Sequence, residues 1–149
     1  MLSILYFRNF KMDIEFKARK ILEPMASFVK RDDLKQEWAD YVCPLLKGKL
    51  IGIYFNSNNS LDDAIVVSDT ELLLVRFGEC KSILFQDIKS IKMPEKDDDS
   101  CTIILSLPDR KQELVAINNG RGNCKDVYEF LRFLMRVIEK SLYEKITVN

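Results

Sequence analysis

The side chains best suited to chemistry in this chain are two groups of acids, Asp62-Asp63 and Asp97-Asp98-Asp99. Clustered carboxylates serve three tasks: they hold a hard cation, they work as a general acid and base, or they meet a basic partner. Calcium requires roughly six to eight oxygens in a defined loop, and the aspartate triplet has neither the glycine nor the terminal glutamate of such a loop. General acid–base work requires a chosen pair, and nothing in the spacing of the acids selects one. A solvated loop is the plain expectation for the triplet, and partner recognition by exposed loops is the remaining task. Nucleophilic catalysis of the Ser–His or Cys–His kind is removed outright, because the chain has no histidine.

Cys43, Cys80, Cys101 and Cys124 are scattered, with no CxxC spacing, so no zinc site is expected. The expectation for such cysteines is apolar filler in a reducing compartment. Asn119-Gly120-Arg121-Gly122 could offer backbone N–H groups to an anion, although a sharp strand-to-helix turn accounts for both glycines equally well. Trp38 and Tyr41 are large aromatics of the type enriched at interfaces, and both also fit a buried helix face. No metal, cofactor or catalytic residue is expected.

Lys plus Arg equals Asp plus Glu at 23 each, so there is no broad basic field for nucleic acid or an anionic membrane. At 149 residues the chain supports one core. Met1 to Phe10 is apolar but has no basic n-region and no cleavage site, and no apolar run reaches the roughly 20 residues of a membrane span. A cytoplasmic protein is expected. Ile4-Leu5-Tyr6-Phe7 and Phe10 are too apolar for a free tail. They suit an added edge strand, a start at Met12, or a self-association element.

These groups must be positioned by three kinds of element. Ile14, Ala18, Ile21, Leu22, Met25, Phe28 and Val29 predict a helix from about Asp13 to Lys30, kinked or split in two at Pro24. Leu34, Trp38, Tyr41, Val42, Leu45 and Leu46 predict a second helix, capped by Asp32 or Asp33 and ended by Pro44 and Gly48. From Leu50 the period changes to strands and turns. Strands are expected at Leu50–Phe55, Ala64–Val67, Glu71–Phe77, Lys81–Phe85, Ile88–Met93, Cys101–Leu107 and Glu113–Ile117. The loop Asn56 to Asp63 and the turns Ser68-Asp69, Gly78-Glu79 and Pro108–Lys111 join them. A last helix runs from Asn123 to about Tyr143, with an Asn123/Asp126 capping pair and an apolar face of Val127, Phe130, Leu131, Leu134, Ile138 and Leu142.

Ala64 to Met93 reads Ala-Ile-Val-Val-Ser-Asp-Thr-Glu-Leu-Leu-Leu-Val, a turn, then Ser-Ile-Leu-Phe-Gln-Asp-Ile-Lys-Ser-Ile. With seven strands closed by one helix, it resembles the bacterial pleckstrin-homology and GRAM-like pattern over Leu50 to about Tyr143. Asp87-Ile88-Lys89-Ser90-Ile91 carries the second half of that pattern. Asp69 and Asp87 are expected to bond turn backbone. The resemblance implies an α+β fold: a pleckstrin-homology-like antiparallel barrel of about seven strands, capped by a C-terminal helix. It is preceded by an N-terminal helical pair, with residues 1–48 as extension and 49–149 as domain, in one compact unit.

Phosphoinositide-binding members of that superfold place Lys and Arg around the first hairpin loop. Here the loop has no base and two acids, Asp62 and Asp63, so a lipid headgroup is disfavoured. Lys89, Lys92 and Lys96 read as a solvated face. The expected function is a non-catalytic cytoplasmic interaction module that binds a protein partner, or its own copy as a homo-oligomer. The alternatives are a membrane-surface adaptor and an immunity protein that inhibits a cognate toxin.

Overall fold

A computed structural model describes residues 13–57, 60–92, 101–118 and 125–147, with side chains as far as Ile138. Helix α1 covers 13–21. There follow β1 (Phe28–Lys30), α2 (Gln36–Val42), β2 (Leu50–Ser57), β3 (Ser60–Ser68), β4 (Glu71–Arg76) and β5 (Glu79–Leu84). Strands β6 (Ser90–Lys92), β7 (Thr102–Ser106) and β8 (Gln112–Ala116) precede the long helix α3 (Lys125–Thr147). A five-stranded antiparallel sheet in the order β1-β2-β3-β4-β5 meets a three-stranded sheet in the order β6-β7-β8.

The expected α+β architecture is present, with eight strands among the described residues where seven were expected. The extra strand comes from the segment read as the first helix. Pro24 ends the helical stretch in a run of turns, and Phe28-Val29-Lys30 then pairs with Tyr54, Ile53 and Gly52 of β2. Gly52 permits the close approach: a Cβ there would collide with the Phe28 ring and lie 2.7 Å from the Val29 carbonyl oxygen. The second helix is also shorter than expected. Neither Asp32 nor Asp33 caps it. Both sit in a 3-10 turn, the cap position is Lys35, and Cys43-Pro44-Leu45 forms another 3-10 turn at its end.

Leu50–Phe55, Ala64–Val67 and Leu72–Val75 are apolar at successive positions because both faces of the large sheet are covered there. The inner face, with Tyr54, Ile65, Val67, Leu72, Leu74 and Ile83, packs on α3, α1 and the small sheet. Aromatic rings link the layers edge to face: Tyr54–Phe130 at 6.0 Å, Phe130–Phe133 at 6.1 Å and Phe85–Phe133 at 6.1 Å. The outer face, with Ile53, Phe55, Val66, Leu73 and Val75, packs under Trp38, Ala39 and Val42 of α2. Strand β7 alternates buried and half-buried, as a strand covered on one face should. Phe130 and Leu134 are fully buried, as expected of the capping helix.

Turn chemistry departs from expectation in three places. Ser68, rather than Asp69, closes the β3–β4 turn, its Oγ accepting the N–H groups of Thr70 at 3.1 Å and Glu71 at 2.9 Å. Asp69 instead holds the α2–β2 linker: its Oδ1 accepts the Lys49 N–H at 2.9 Å. Glu71 does the same at Lys47, accepting its N–H at 2.6 Å from a fully buried position, with Oε2 unpartnered. Asp87 lies in the 3-10 turn Phe85–Asp87, closed by the Ile88 N–H on the Phe85 carbonyl rather than by an aspartate side chain. Asp126 accepts the Tyr54 hydroxyl at 2.9 Å, which ties α3 to β2. Asn123, Leu142 and the apolar segment Met1–Phe10 fall outside what is described.

Candidate functional site

One end of the large sheet is crossed by β8. Asn56, near the end of β2, donates through Nδ2 to the Ala116 carbonyl at 2.7 Å, and its Oδ1 accepts the Asn118 N–H at 3.0 Å. Arg76, at the end of β4, donates to Glu113 Oε1 at 3.1 Å and to the Leu114 carbonyl. Lys81 of β5 reaches Glu113 Oε2 at 2.5 Å. The crossing leaves an open groove of about 560 Å³ lined by Leu74, Arg76, Glu79, Cys80, Lys81 and Glu113.

Phe77 and Gly78 form the two-residue turn at the lip of this groove. The register Arg76↔Glu79 makes it a hairpin whose two central residues both have positive φ, +48° at Phe77 and +87° at Gly78. That is the primed turn matched to strand twist, and it favours Asn-Gly. Phe77 is 80% exposed, and its N–H donates to the Asp62 carbonyl at 2.6 Å. On β8, Leu114, whose carbonyl Arg76 holds, is 54% exposed. On the outer face, Tyr41 is 48% exposed and bonded to Cys80. That hydrogen bond, and next the charge of the thiolate, raise the Tyr41 hydroxyl above its ordinary pKa of 10.0.

The residues expected to form the site are not brought together. Asp62 and Asp63 lie within β3, not in the preceding loop, because pairing begins at Ser57↔Ser60. Asp62 is exposed; Asp63 accepts Asn56 Nδ2 at 3.2 Å. Trp38 is half-buried in the outer layer, its ring 4.9 Å from that of Phe55 with Lys35 Nζ 4.8 Å over it. Asp97, Asp98 and Asp99 lie outside the described residues. The cysteine expectation fails where it can be read. Cys43 and Cys80 are exposed free thiols and Cys101 is disulfide-bonded, while Cys124 is not described. Arg76, Phe77, Glu79, Lys81 and Glu113 were missed. Gly78 was the available signal, since a glycine between two strand runs marks a tight turn, but Phe at the position before it hid the primed turn.

Within the groove both cations are spent on Glu113, so an incoming anion would compete with an existing ion pair. Among the described residues no three His, Cys, Asp or Glu side chains gather to hold a metal, and no helix is long and apolar enough to cross a membrane.

No family model matches the chain, and no curated protein sequence matches it. Two solved structures are similar. One is a DUF1696 family protein with a pleckstrin-homology domain from Shewanella loihica PV-4. It has a TM-score of 0.51 and 14% identity over 75% of this chain and 96% of that one. The other is Inner Membrane Complex sub-compartment protein 3 from Toxoplasma gondii. It has a TM-score of 0.44 and 15% identity over 73% of this chain and 89% of that one. At such identity the first likeness speaks to fold alone. Two antiparallel sheets meeting at a corner and closed by a C-terminal helix are a pleckstrin-homology-like fold.

Proposed function

We propose that this chain is a non-catalytic protein-interaction module whose contact surface is the corner formed by the β4–β5 turn, the groove and β8. Phe77 carries the reading. A bulky residue in the left-handed region costs about 1–2 kcal/mol, which Gly or Asn would spare. Its ring is 80% exposed, so the core gains little from it. An aromatic that serves neither the turn nor the core, on a corner that also exposes Leu114, is suited to a partner's surface.

A membrane-surface role is opposed by the tying of Arg76 and Lys81 to Glu113 and by the exposed Asp62 nearby. We further infer kinship with bacterial pleckstrin-homology or GRAM-like domains. The run Phe85-Gln86-Asp87-Ile88, which falls at the turn between the two sheets, supports it. The cytoplasm belongs to the same proposal. The exposed thiols of Cys43 and Cys80 favour a reducing compartment, and the disulfide at Cys101 counts against one. Alkylation of thiols in intact cells decides it.

The test of the interaction reading is photo-crosslinking with benzoylphenylalanine in place of Phe77, in the cells that make the protein. The expected result is a discrete protein adduct that the same residue placed at Lys20 does not give. Adducts to lipid only, or none, overturn the reading.

A further inference from the structure

We propose that β5 pairs edge to edge with β5 of a second copy, about a two-fold axis through Cys80, to make one continuous sheet across the dimer. This rests on the interaction reading above and names its partner.

Among the described residues β5 has β4 on one side and no strand on the other, and Glu79 to Ser82 are exposed. In a two-residue hairpin the flanking pair, Arg76 and Glu79, exchanges its backbone hydrogen bonds, and pairs alternate from there. Cys80, Ser82 and Leu84 therefore turn their N–H and C=O groups toward the open edge. Such an edge is a template for another strand unless its charges oppose one.

The charges on this edge oppose most strands but complement their own copy. Arg76 is in register with Glu79, yet its guanidinium is given to Glu113. Glu79 is left without an ion-pair partner among the described residues. An antiparallel pairing centred on Lys81 would set lysine against lysine. Centred on Ser82, it would set Lys81 against Ile83 and Cys80 against Leu84. Centred on Cys80, it sets Glu79 of each copy against Lys81 of the other, twice, so that Lys81, which already holds Glu113, is shared between Glu113 and the partner's Glu79. Directly opposed residues share a face, so both pairs lie on the groove side, and opposite charges so placed favour the pairing.

Two consequences follow from that register. The two Cys80 residues stand opposite each other at a Cα separation of about 5.5 Å, inside the roughly 4.4–6.8 Å span of a disulfide. Gly78 of each copy stands opposite the partner's Ser82, which lays each Phe77-Gly78 turn along the partner's strand. Three opposed residues of β5 in each copy make a small contact, of the weak and transient class.

Oxidative trapping tests the pairing on the full chain. Diamide takes up the two hydrogens lost as two thiols join. In a Cys43→Ser background, a dimer band on a non-reducing gel that vanishes with Cys80→Ser is the expected result. No band, or a band that survives Cys80→Ser, overturns the register. Sedimentation at hundreds of micromolar should show a mass above 17.4 kDa. It should fall to the monomer in E79K and recover in E79K/K81E, with folding checked by circular dichroism. A wild-type monomer, or a dimer indifferent to E79K, also overturns it. A monomeric chain that still gives a discrete adduct of another mass at position 77 ends the self-pairing and leaves the interaction reading standing.

Discussion

Replacing Phe77 with Asn should make the protein more stable. The residue sits at φ +48° with 80% of its surface in water. Left-handed backbone costs a bulky residue about 1–2 kcal/mol, and Asn escapes most of that. Fully burying a Phe side chain is worth about 1.5–3 kcal/mol, so the fifth that is covered here contributes roughly 0.3–0.6 kcal/mol. The difference is a net gain of about 0.5–1 kcal/mol. For a chain of this length that raises the melting temperature by about 1–4 °C. Thermal and urea unfolding followed by far-ultraviolet circular dichroism reads it directly. A loss of more than about 0.5 kcal/mol would mean that the ring supports its own fold. The assignment of Phe77 to a partner would then lose its basis. The same variant should weaken the trapped dimer, which joins higher stability to poorer association in a single substitution.

Further expectations test the frame that carries this corner. Leu134→Ala should cost about 2–5 kcal/mol in urea unfolding, since the side chain is fully buried beneath the sheets. A cost under about 0.5 kcal/mol would show α3 only loosely docked. Glu71→Ala should cost about 1–3 kcal/mol by leaving the Lys47 N–H without its acceptor, while Glu71→Gln, which keeps a carbonyl oxygen there, should lose less. Equal losses in the two variants would refute the acceptor role. Vesicles containing phosphoinositide should not sediment the protein near physiological salt. Micromolar binding abolished by changing Lys89 and Lys92 would contradict the groove's charge balance.

The strands β2 to β4 were legible because apolar runs of four to six residues between turn signals have few other readings. What such runs hide is which face meets what. Continuous hydrophobicity fits a sheet covered on both sides, and only the structure shows that α2 supplies the second cover. Strand β1 was hidden because Phe28 and Val29 extend the helical spacing set by Ile21 and Met25. The pairing that wins depends on Gly52, 24 residues away. The start of β3 was hidden because Ser60-Leu61-Asp62-Asp63 is polar enough to pass for loop. The site was missed through one residue. A turn at Gly78-Glu79 instead of Phe77-Gly78 moves the β4–β5 register by two residues, takes Glu79 out of β5 and leaves Phe77 in β4. Glu79, Lys81 and Glu113 then never appear together.

The double cover of the large sheet sets the order in which the chain can fold. Helix α2 and strand β1 leave the ribosome before β2, β3 and β4, yet nearly everything they bury is against those later strands. Helix α1 waits longer still: Lys17 bonds the carbonyl of Arg136, 119 residues downstream. The first third of the molecule therefore has little to hold it until the rest is made, and the many distant pairings place folding on the slow side for its size. Ile53, Phe55, Val66, Leu73 and Val75 would stand uncovered in any chain that begins after α2, or in any whose α2 came away from the sheet. Trimming the N-terminal segment to isolate the pleckstrin-homology-like part would thus convert a solvent-shielded layer into a surface prone to aggregate.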